Sequence, residues 1–493
     1  MTKSAQASEP DPQRNSARVP LSRLALILCA VVYLIYSAFL TRTYYWDGVL
    51  SSLYIEGVRH RTMPPSILFH PNHLLYAAFG YALYSAGIPM RAITLLQLLN
   101  ALFGALTTAA VCLFANDLTK NSFAALFAGI LFAFGATWWK FTTDADSYII
   151  SVCAITVAIY LATRGRSVPL IAACHVTGML FHELAVFAYV PILLALLLHE
   201  GRLRRTRIWH ATTYVLLTAV TTLATYFICY RLVHPQQPLL SWLSSFAPTA
   251  QTTHSARQIL ISYPLSYAKL FLGGKFRFVS DYFSAPVASG LLLCAASLAG
   301  AFWLWKHTPQ TGSRNTNKQA IVLLWSWLAP YAVFLAWFEP SNAFYKLFLW
   351  PPLVLLVAIR ISRSEPLLRA SVALAISIAA WNFSGFIYPH THVSADPVLA
   401  LAKTIDRQMP PDATVYYAVF SPDDWYLDYF APGRIWLPLG ATDPLKVKER
   451  AKPVCLETTA LDTLRPQISP QQTWELTGRH RVRVECFAAD RTQ

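Results

Sequence analysis

The sequence predicts an α-helical polytopic membrane protein of about eleven spans, N-terminus inside and C-terminus outside, followed by a small extracytoplasmic α/β domain. Three observations carry that prediction. Of 493 residues, 55% are hydrophobic and only 13% charged, a balance too apolar for a soluble globule. Apolar runs recur near 24–41, 92–115, 122–138, 147–163, 168–181, 184–198, 208–233, 284–305, 320–338, 343–361 and 370–388. Most approach the ~20 residues that a helix rising 1.5 Å per residue needs to cross ~30 Å of hydrocarbon. Lys and Arg then alternate between the connecting segments, with 17 in those assigned inside and 9 in the longer outer ones.

Residues 1–23 form a basic cytoplasmic tail (Lys3, Arg14, Arg18, Arg23), and the apolar run after it extends to about Leu40. A cleaved signal peptide has a shorter core and a small-residue cleavage site, so this reads as an uncleaved first span. The stretch 74–90 is apolar, but Gly80, Gly87 and Pro89 interrupt it. It reads as an interfacial or re-entrant helix. Counting it as a span would place Arg202, Arg204, Arg205 and Arg207 outside, against the positive-inside rule. The runs 168–181 and 184–198 are short for spans, so the turn Phe181-His182-Glu183 should sit below the outer surface, beside protein or a water-filled cavity. Gly178 would let that corner approach a neighbour closely. The polytopic domain thus covers 24–389, and 390–493 is the outer domain. There Asp396-Pro397 starts a helix through about Gln408, and Pro410-Pro411-Asp412 stops it. Thr414–Phe420, Arg434–Leu439 and Val482–Phe487 read as strands.

The net charge of +15 does not indicate nucleic acid, because the basic residues lie in short loops and no compact basic domain exists. No cysteine pair has C-x-x-C spacing, which gives neither a zinc nor a redox motif. Six of the eight cysteines lie in apolar runs; Cys455 and Cys486 lie in the tail, where they can pair or remain free thiols.

The segment from Thr41 to His73 is chemically dense for a connector between membrane helices. It holds Tyr44-Tyr45-Trp46-Asp47-Gly48, Glu56, Arg59, Arg61 and His70-Pro71-Asn72-His73. Asp47 suits a general base: burial among aromatics would raise its pKa, and Gly48 would let a substrate approach the backbone. The plainer reading is an interfacial aromatic belt with an Asp cap. Arg59, Arg61 and Lys346 can meet a phosphate or lipid headgroups. His70 and His73 can bind phosphate or a metal; no metal is assigned, and a divalent ion remains open because zinc would need a third ligand and magnesium more oxygens. Asp144 and Asp146 follow Trp138-Trp139-Lys140 and can cap the next helix, with Lys140 as ion partner, or bind sugar hydroxyls. His182-Glu183 at membrane depth points to function, although the carboxylate can simply neutralise the imidazole. Glu339 begins an outer turn.

One span, then Tyr45-Trp46-Asp47-Gly48, then His70-Pro71-Asn72-His73-Leu74-Leu75-Tyr76 resembles the GT-C superfamily of integral-membrane glycosyltransferases, which includes protein O-mannosyltransferases and lipid A aminoarabinose transferases. Trp138-Trp139-Lys140 with Asp144, Asp146 and Tyr148, and Phe344-Tyr345-Lys346 before Trp350-Pro351-Pro352, extend the resemblance to about Ile361. Two features depart from it: a single Asp precedes Gly48 where several members carry Asp-Glu, and Lys346 stands where Arg is common.

The resemblance implies inverting transfer of a sugar from a polyprenyl-phosphate donor to a lipid, glycan or protein acceptor, on the periplasmic side of a bacterial inner (plasma) membrane. Asp47 would be the base. Arg59, Arg61, His70, His73 and Lys346 would surround the donor phosphate. Tyr45, Trp46, Glu56, Asp144, Asp146, His182, Glu183 and Glu339 would shape the sugar or acceptor pocket. The rival classes are a transporter or lipid flippase, which often shows paired repeats absent from this sequence, and a non-catalytic envelope-assembly relative.

Overall fold

Long apolar helices dominate the chain. The structure is a computed structural model describing residues 21–199, 203–233, 238–244, 255–310, 318–409, 414–418, 422–432, 434–440, 444–446, 453–476 and 482–487. Most of the N-terminal tail, Arg202 and Pro410-Pro411-Asp412 lie outside the described residues. In order, the helices are α1 (Leu21–Ala38), α2 (Trp46–Arg59), α3 (Tyr76–Ser85), α4 (Ala92–Thr119), α5 (Ser122–Phe134), α6 (Ala136–Thr142) and α7 (Tyr148–Thr163). Next come α8 (Val168–Phe181), α9 (Tyr189–Leu198), α10 (Arg204–Val233), α11 (Leu239–Ser244), α12 (Ala256–Phe271), α13 (Phe276–Asp281) and α14 (Ala285–His307). The last seven are α15 (Lys318–Phe338), α16 (Trp350–Ile361), α17 (Glu365–Asn382), α18 (Tyr388–His390), α19 (Pro397–Gln408), α20 (Pro422–Phe430) and α21 (Thr458–Leu464).

Each of the eleven apolar runs falls on a helix. By length and composition α4, α10, α14, α15 and the stretch from α17 to His390 can each cross a membrane, and the bent pair α5–α6 makes a sixth if taken as one span. The apolar helices α1, α7, α8 and the stretch Glu183–Leu198 are shorter. Leu223 of α10, Leu292 of α14 and Val333 of α15 are 69%, 72% and 73% exposed. Helices apolar on their outer faces as well as their inner ones belong in lipid, so the chain is an integral membrane protein. The helix α3 has ten residues, about 15 Å at 1.5 Å per residue, and does not span. It packs on α2 and α4, where Gly80 leaves room for Ile55 and Leu96.

The run 122–138 departs from the straight span expected of it: α5 and α6 meet at 63° at Gly135. A bend exposes carbonyls that the helix would otherwise pair, which is costly away from water. Side chains from other helices accept that task. Trp350 Nε1 donates to Phe132 O (2.9 Å), Tyr36 Oη to Ala133 O (2.5 Å) and Asn382 Nδ2 to Phe134 O (2.8 Å). Gly135 itself lies against the Trp350 indole, with no room for a side chain.

The tail contains a five-stranded sheet in the order β2-β1-β3-β5-β4: β1 (Thr414–Tyr417), β2 (Ile435–Pro438), β3 (Val454–Glu457), β4 (Gln472–Leu476) and β5 (Val482–Phe487). β1 runs parallel to β2 and β3, whereas β3, β5 and β4 are antiparallel. Asp396 caps α19 by accepting the Val398 and Leu399 N–H groups. Cys455 and Cys486 face each other across β3 and β5 and are joined by a disulfide. The tail shares its core with the first loop, because Val49, Ile55, Leu68 and Tyr76 cluster with Leu399, Ile405, Tyr426, Tyr429 and Trp474.

Two sets of contacts place the first loop. On one side, Glu56 Oε1 accepts from Arg91 Nε (2.8 Å), Ala92 N (2.9 Å) and Tyr429 Oη (2.7 Å), tying α2 to α4 and α20. Tyr426 Oη adds a bond to Tyr44 O, and Tyr44 stacks on Phe430. On the other side lies the turn between α6 and α7. Asp144 Oδ2 accepts both Tyr45 N–H (2.9 Å) and Lys140 Nζ (2.6 Å), and Lys140 also donates to Thr43 O. From α4, Gln97 Nε2 bridges Thr41 O and Thr143 O, and Asn100 Nδ2 bridges Asp144 O and Asp146 O. Gly48 does not face substrate as expected. Its Cα is pressed on the Ala145 carbonyl, where an added Cβ would stand 1.9 Å from the oxygen.

Two outcomes follow for thermal unfolding in detergent. Gly48→Ala should destabilise the chain by about 1–3 kcal/mol, the usual cost of overpacking, and displace α2. Glu56→Ala should cost about 1–3 kcal/mol by leaving the Tyr429 hydroxyl hydrogen and the Ala92 N–H without their acceptor, and should speed proteolytic release of the tail. Unchanged melting for both variants would show that these contacts do not hold the loop.

Candidate active site

The first loop, the corner after α8 and the turn after α15 converge on one cavity of about 1120 Å³. Its polar lining includes Asp47, His70, Asn72, His73, Tyr148, His182, Glu183, Glu339 and Tyr345; its apolar lining includes Leu50, Ile67, Phe187, Phe334, Trp337 and Phe338. Trp337 is also 68% exposed at the protein surface.

Local structure explains how each polar group arrives. Asp47 lies in the first turn of α2, where a helix N-terminus favours a carboxylate. Burial acts in the opposite sense and pushes its carboxyl up to about 6. His70 precedes a 3₁₀ turn, Pro71–His73, and its Nδ1 accepts the Asn72 N–H at 3.3 Å. That turn is held by Tyr226 Oη, which donates to Pro71 O (2.6 Å), and by Leu75 N–H, which donates to Leu180 O. His182 repeats the arrangement ahead of a second 3₁₀ turn, Glu183–Ala188, its Nδ1 accepting the Leu184 N–H at 3.2 Å. Its ring lies 4.3 Å from Tyr148. The corner is anchored from below: Ser151 Oγ donates to Gly178 O, and the bare Gly178 Cα lies against Ile155. Buried His175 meets Ala185 O through Nε2 (2.9 Å) and Tyr214 Oη through Nδ1 (2.5 Å).

The structure thus gathers Asp47, His70, His73, His182, Glu183 and Glu339, which are far apart in the chain. It places the other predicted residues elsewhere. Lys346 does not line the cavity. Its Nζ, expected near a phosphate, donates to Asn342 O (2.8 Å), Pro340 O (3.0 Å) and, at greater length, Glu339 O (3.4 Å), over the Tyr263 and Tyr267 rings. Three N–H donors meet three carbonyls, and Lys346 thereby shapes the turn that presents Glu339. Arg59 and Arg61 are exposed at the far end of α2 and are not in the wall. Glu56 is held by Arg91 and Tyr429, and Asp144 by Lys140 and Tyr45, so neither carboxylate lines the cavity.

Tyr45 packs against Phe141 and Phe344, and Trp46 stacks on Tyr45 with 48% of its surface exposed. Asp146 is fully buried behind the wall. Its Oδ1 is 3.4 Å from the Tyr148 N–H and its Oδ2 has no hydrogen-bond partner. Burial, then the charges of Asp47 and Asp144, push this carboxyl well above the ordinary range. Among the described residues no group of three or more His, Cys, Asp or Glu is arranged to hold a metal ion.

Sequence reasoning did not single out Gln97 and Asn100, although they carry the turn that supports Asp47. A signal was present: two amides three residues apart share a face of a long apolar helix, where polar side chains are costly. The apolar lining had no such signal, since Phe334 and Trp337 lie in a run apolar on every side.

No protein-family model matches the chain, and no curated protein sequence matches it. Among solved structures, it is similar to ArnT from Cupriavidus metallidurans bound to undecaprenyl phosphate, with a TM-score of 0.62, 11% identity, and coverage of 94% of this chain and 97% of that one. The apo state of the same ArnT gives 0.48 at 12% identity over 94% and 97%. The Archaeoglobus fulgidus oligosaccharyltransferase in complex with Zn and sulfate gives 0.46 at 13% identity, over 87% of this chain and 63% of that one. At 11% identity the likeness to the ArnT bound to undecaprenyl phosphate is one of fold: this chain has the fold of that ArnT.

Proposed function

We propose that the chain moves a sugar from a polyprenyl-phosphate donor to a hydroxyl of a lipid, glycan or protein acceptor on the outer face of the membrane. The observation that carries this reading is Asp47 in the wall of a cavity lined by both ionisable and large apolar side chains, within a fold shared with a protein bound to undecaprenyl phosphate. The large apolar side chains of the lining suit the first prenyl units, and its polar groups suit the phosphate and sugar. The Cys455–Cys486 disulfide supports an oxidising compartment for the tail, and the loop charges support the same orientation.

In the reaction, the acceptor oxygen bonds to C1 of the sugar as the bond from C1 to the phosphate oxygen breaks. The acceptor proton passes to the Asp47 carboxylate, and the phosphate leaves on its prenyl carrier. A single displacement inverts the anomeric centre. The Asp144–Lys140 pair acts on this step through the position of α2, and buried Asp146 through its charge interaction with Asp47.

Asp47→Asn should lower turnover of donor lipid by about 10²–10⁴-fold, the usual contribution of general base catalysis, while leaving the fold intact. Turnover unchanged by that substitution would exclude Asp47 as the base. The base must be ionised to accept a proton, so with its pKa near 6 the rate should rise with pH through that value and level off above it. A pH–rate profile lacking that limb would remove Asp47 from the proton transfer.

A further inference from the structure

The proposed donor is an anion, and among the described residues the cavity presents no fixed cation to receive it. Among the described residues, no Lys or Arg lines the wall. The acids facing it are Asp47 from α2, Glu183 from the corner and Glu339 from the turn after α15; the imidazoles are His70, His73 and His182. The phenols are Tyr54 from α2, Tyr148 from α7 and Tyr345 beside α16. With its carboxylates ionised and its imidazoles neutral, such a wall repels phosphate.

Hydrogen bonding separates the three histidines. His70 and His182 each accept a backbone N–H on Nδ1, from Asn72 and Leu184. That contact puts the ring hydrogen on Nε2, so each is a neutral donor, and a second proton would have to displace the backbone bond. His73 differs. Its ring lies 4.3 Å from that of His70, and its Nδ1 is buried with no hydrogen-bond partner. A second proton there breaks no existing bond. Burial, and then the neighbouring imidazoles His70 and His182, hold His73 well below the usual histidine range while the cavity lacks an anion. Burial also lowers His70, to about 4. An anion within ~4–6 Å reverses that balance by favouring the charged ring.

We infer that this cavity binds its anion together with a proton: His70 and His182 donate Nε2–H groups to the phosphate oxygens, and His73 takes up one proton from solvent to offset the incoming charge. The inference rests on the polyprenyl-phosphate reading of the site. It assigns the cationic role to a residue that is neutral until the ligand arrives, in place of the Arg and Lys side chains expected from the sequence.

The test is calorimetric titration of the full chain in lipid nanodiscs with undecaprenyl methyl phosphate, a phosphodiester whose single charge is fixed near neutral pH. Binding heats measured in two buffers of different ionisation enthalpy give the protons taken up. Proton uptake is expected to rise toward one per lipid as the pH is lowered from 8 to 6.5, with affinity strengthening over that range by at most about tenfold per pH unit. His73→Gln should abolish the uptake, whereas His70→Gln and His182→Gln should weaken binding and retain it.

Binding without proton uptake overturns the inference and leaves the donor reading standing. Uptake that survives His73→Gln and disappears in Asp47→Asn assigns the proton to the carboxylate and also overturns it. No binding by the folded wild-type chain sinks the donor reading, and this inference with it. If His73→Gln does not fold, His73→Asn serves in its place, and the wild-type two-buffer comparison decides proton uptake without any variant.

Discussion

The cavity depends on the contact between the start of α2 and the turn at residues 143–147. Asp47 can stand in the wall only because Gly48 lets the helix rest on the Ala145 carbonyl and Asp144 accepts the Tyr45 N–H. Neither residue needs to touch substrate for this. A carboxylate buried with Lys140 is costly to desolvate, and its value lies in fixing one geometry. Asn100 and Gln97 extend the same contact into α4, so the position of Asp47 is set from a membrane helix as well as from the loop.

The same pairing appears at two breaks in the apolar helices. At Gly135 three freed carbonyls each meet a side chain from a different helix. At the corner after α8, His182 caps its own 3₁₀ turn while His175 donates its Nε2–H to Ala185 O. Irregular backbone at membrane depth is tolerated only beside such partners or a water-filled cavity. Both breaks lie where chain has to be turned toward the cavity. The site is thus built from interruptions of helices whose polar groups have been met elsewhere.

Much of this was legible before any coordinates. Hydrophobic runs located the helices, charge marked the short stretch 74–90 as an odd one, and Gly178 pointed to a close approach that Ile155 makes. Asp47, His70, His73, His182, Glu183 and Glu339 were recognisable because ionisable groups are rare and costly near hydrocarbon. What could not be read was which charges were already spent. Lys346 looks like an available cation until its three carbonyl partners are seen, and Glu56 looks like a pocket acid until Arg91 and Tyr429 reach it from positions 35 and 373 residues away. Long-range pairing of this kind leaves no local trace in composition or periodicity. The strands β3 and β4 were missed as well; β3 is buried at Val454, Cys455 and Leu456 in succession and so lacks the alternation by which a half-buried strand is read.

The shared core between the tail and the first loop bears on biogenesis. Tyr426 and Tyr429 close on Tyr44 and Glu56 across more than 370 residues of intervening chain. Contacts so distant in sequence form late in folding. The segment around Asp47 therefore stays incomplete until translation delivers α20 to it, and a shorter ribosome-bound nascent chain would carry Asp47 without the scaffold that aims it.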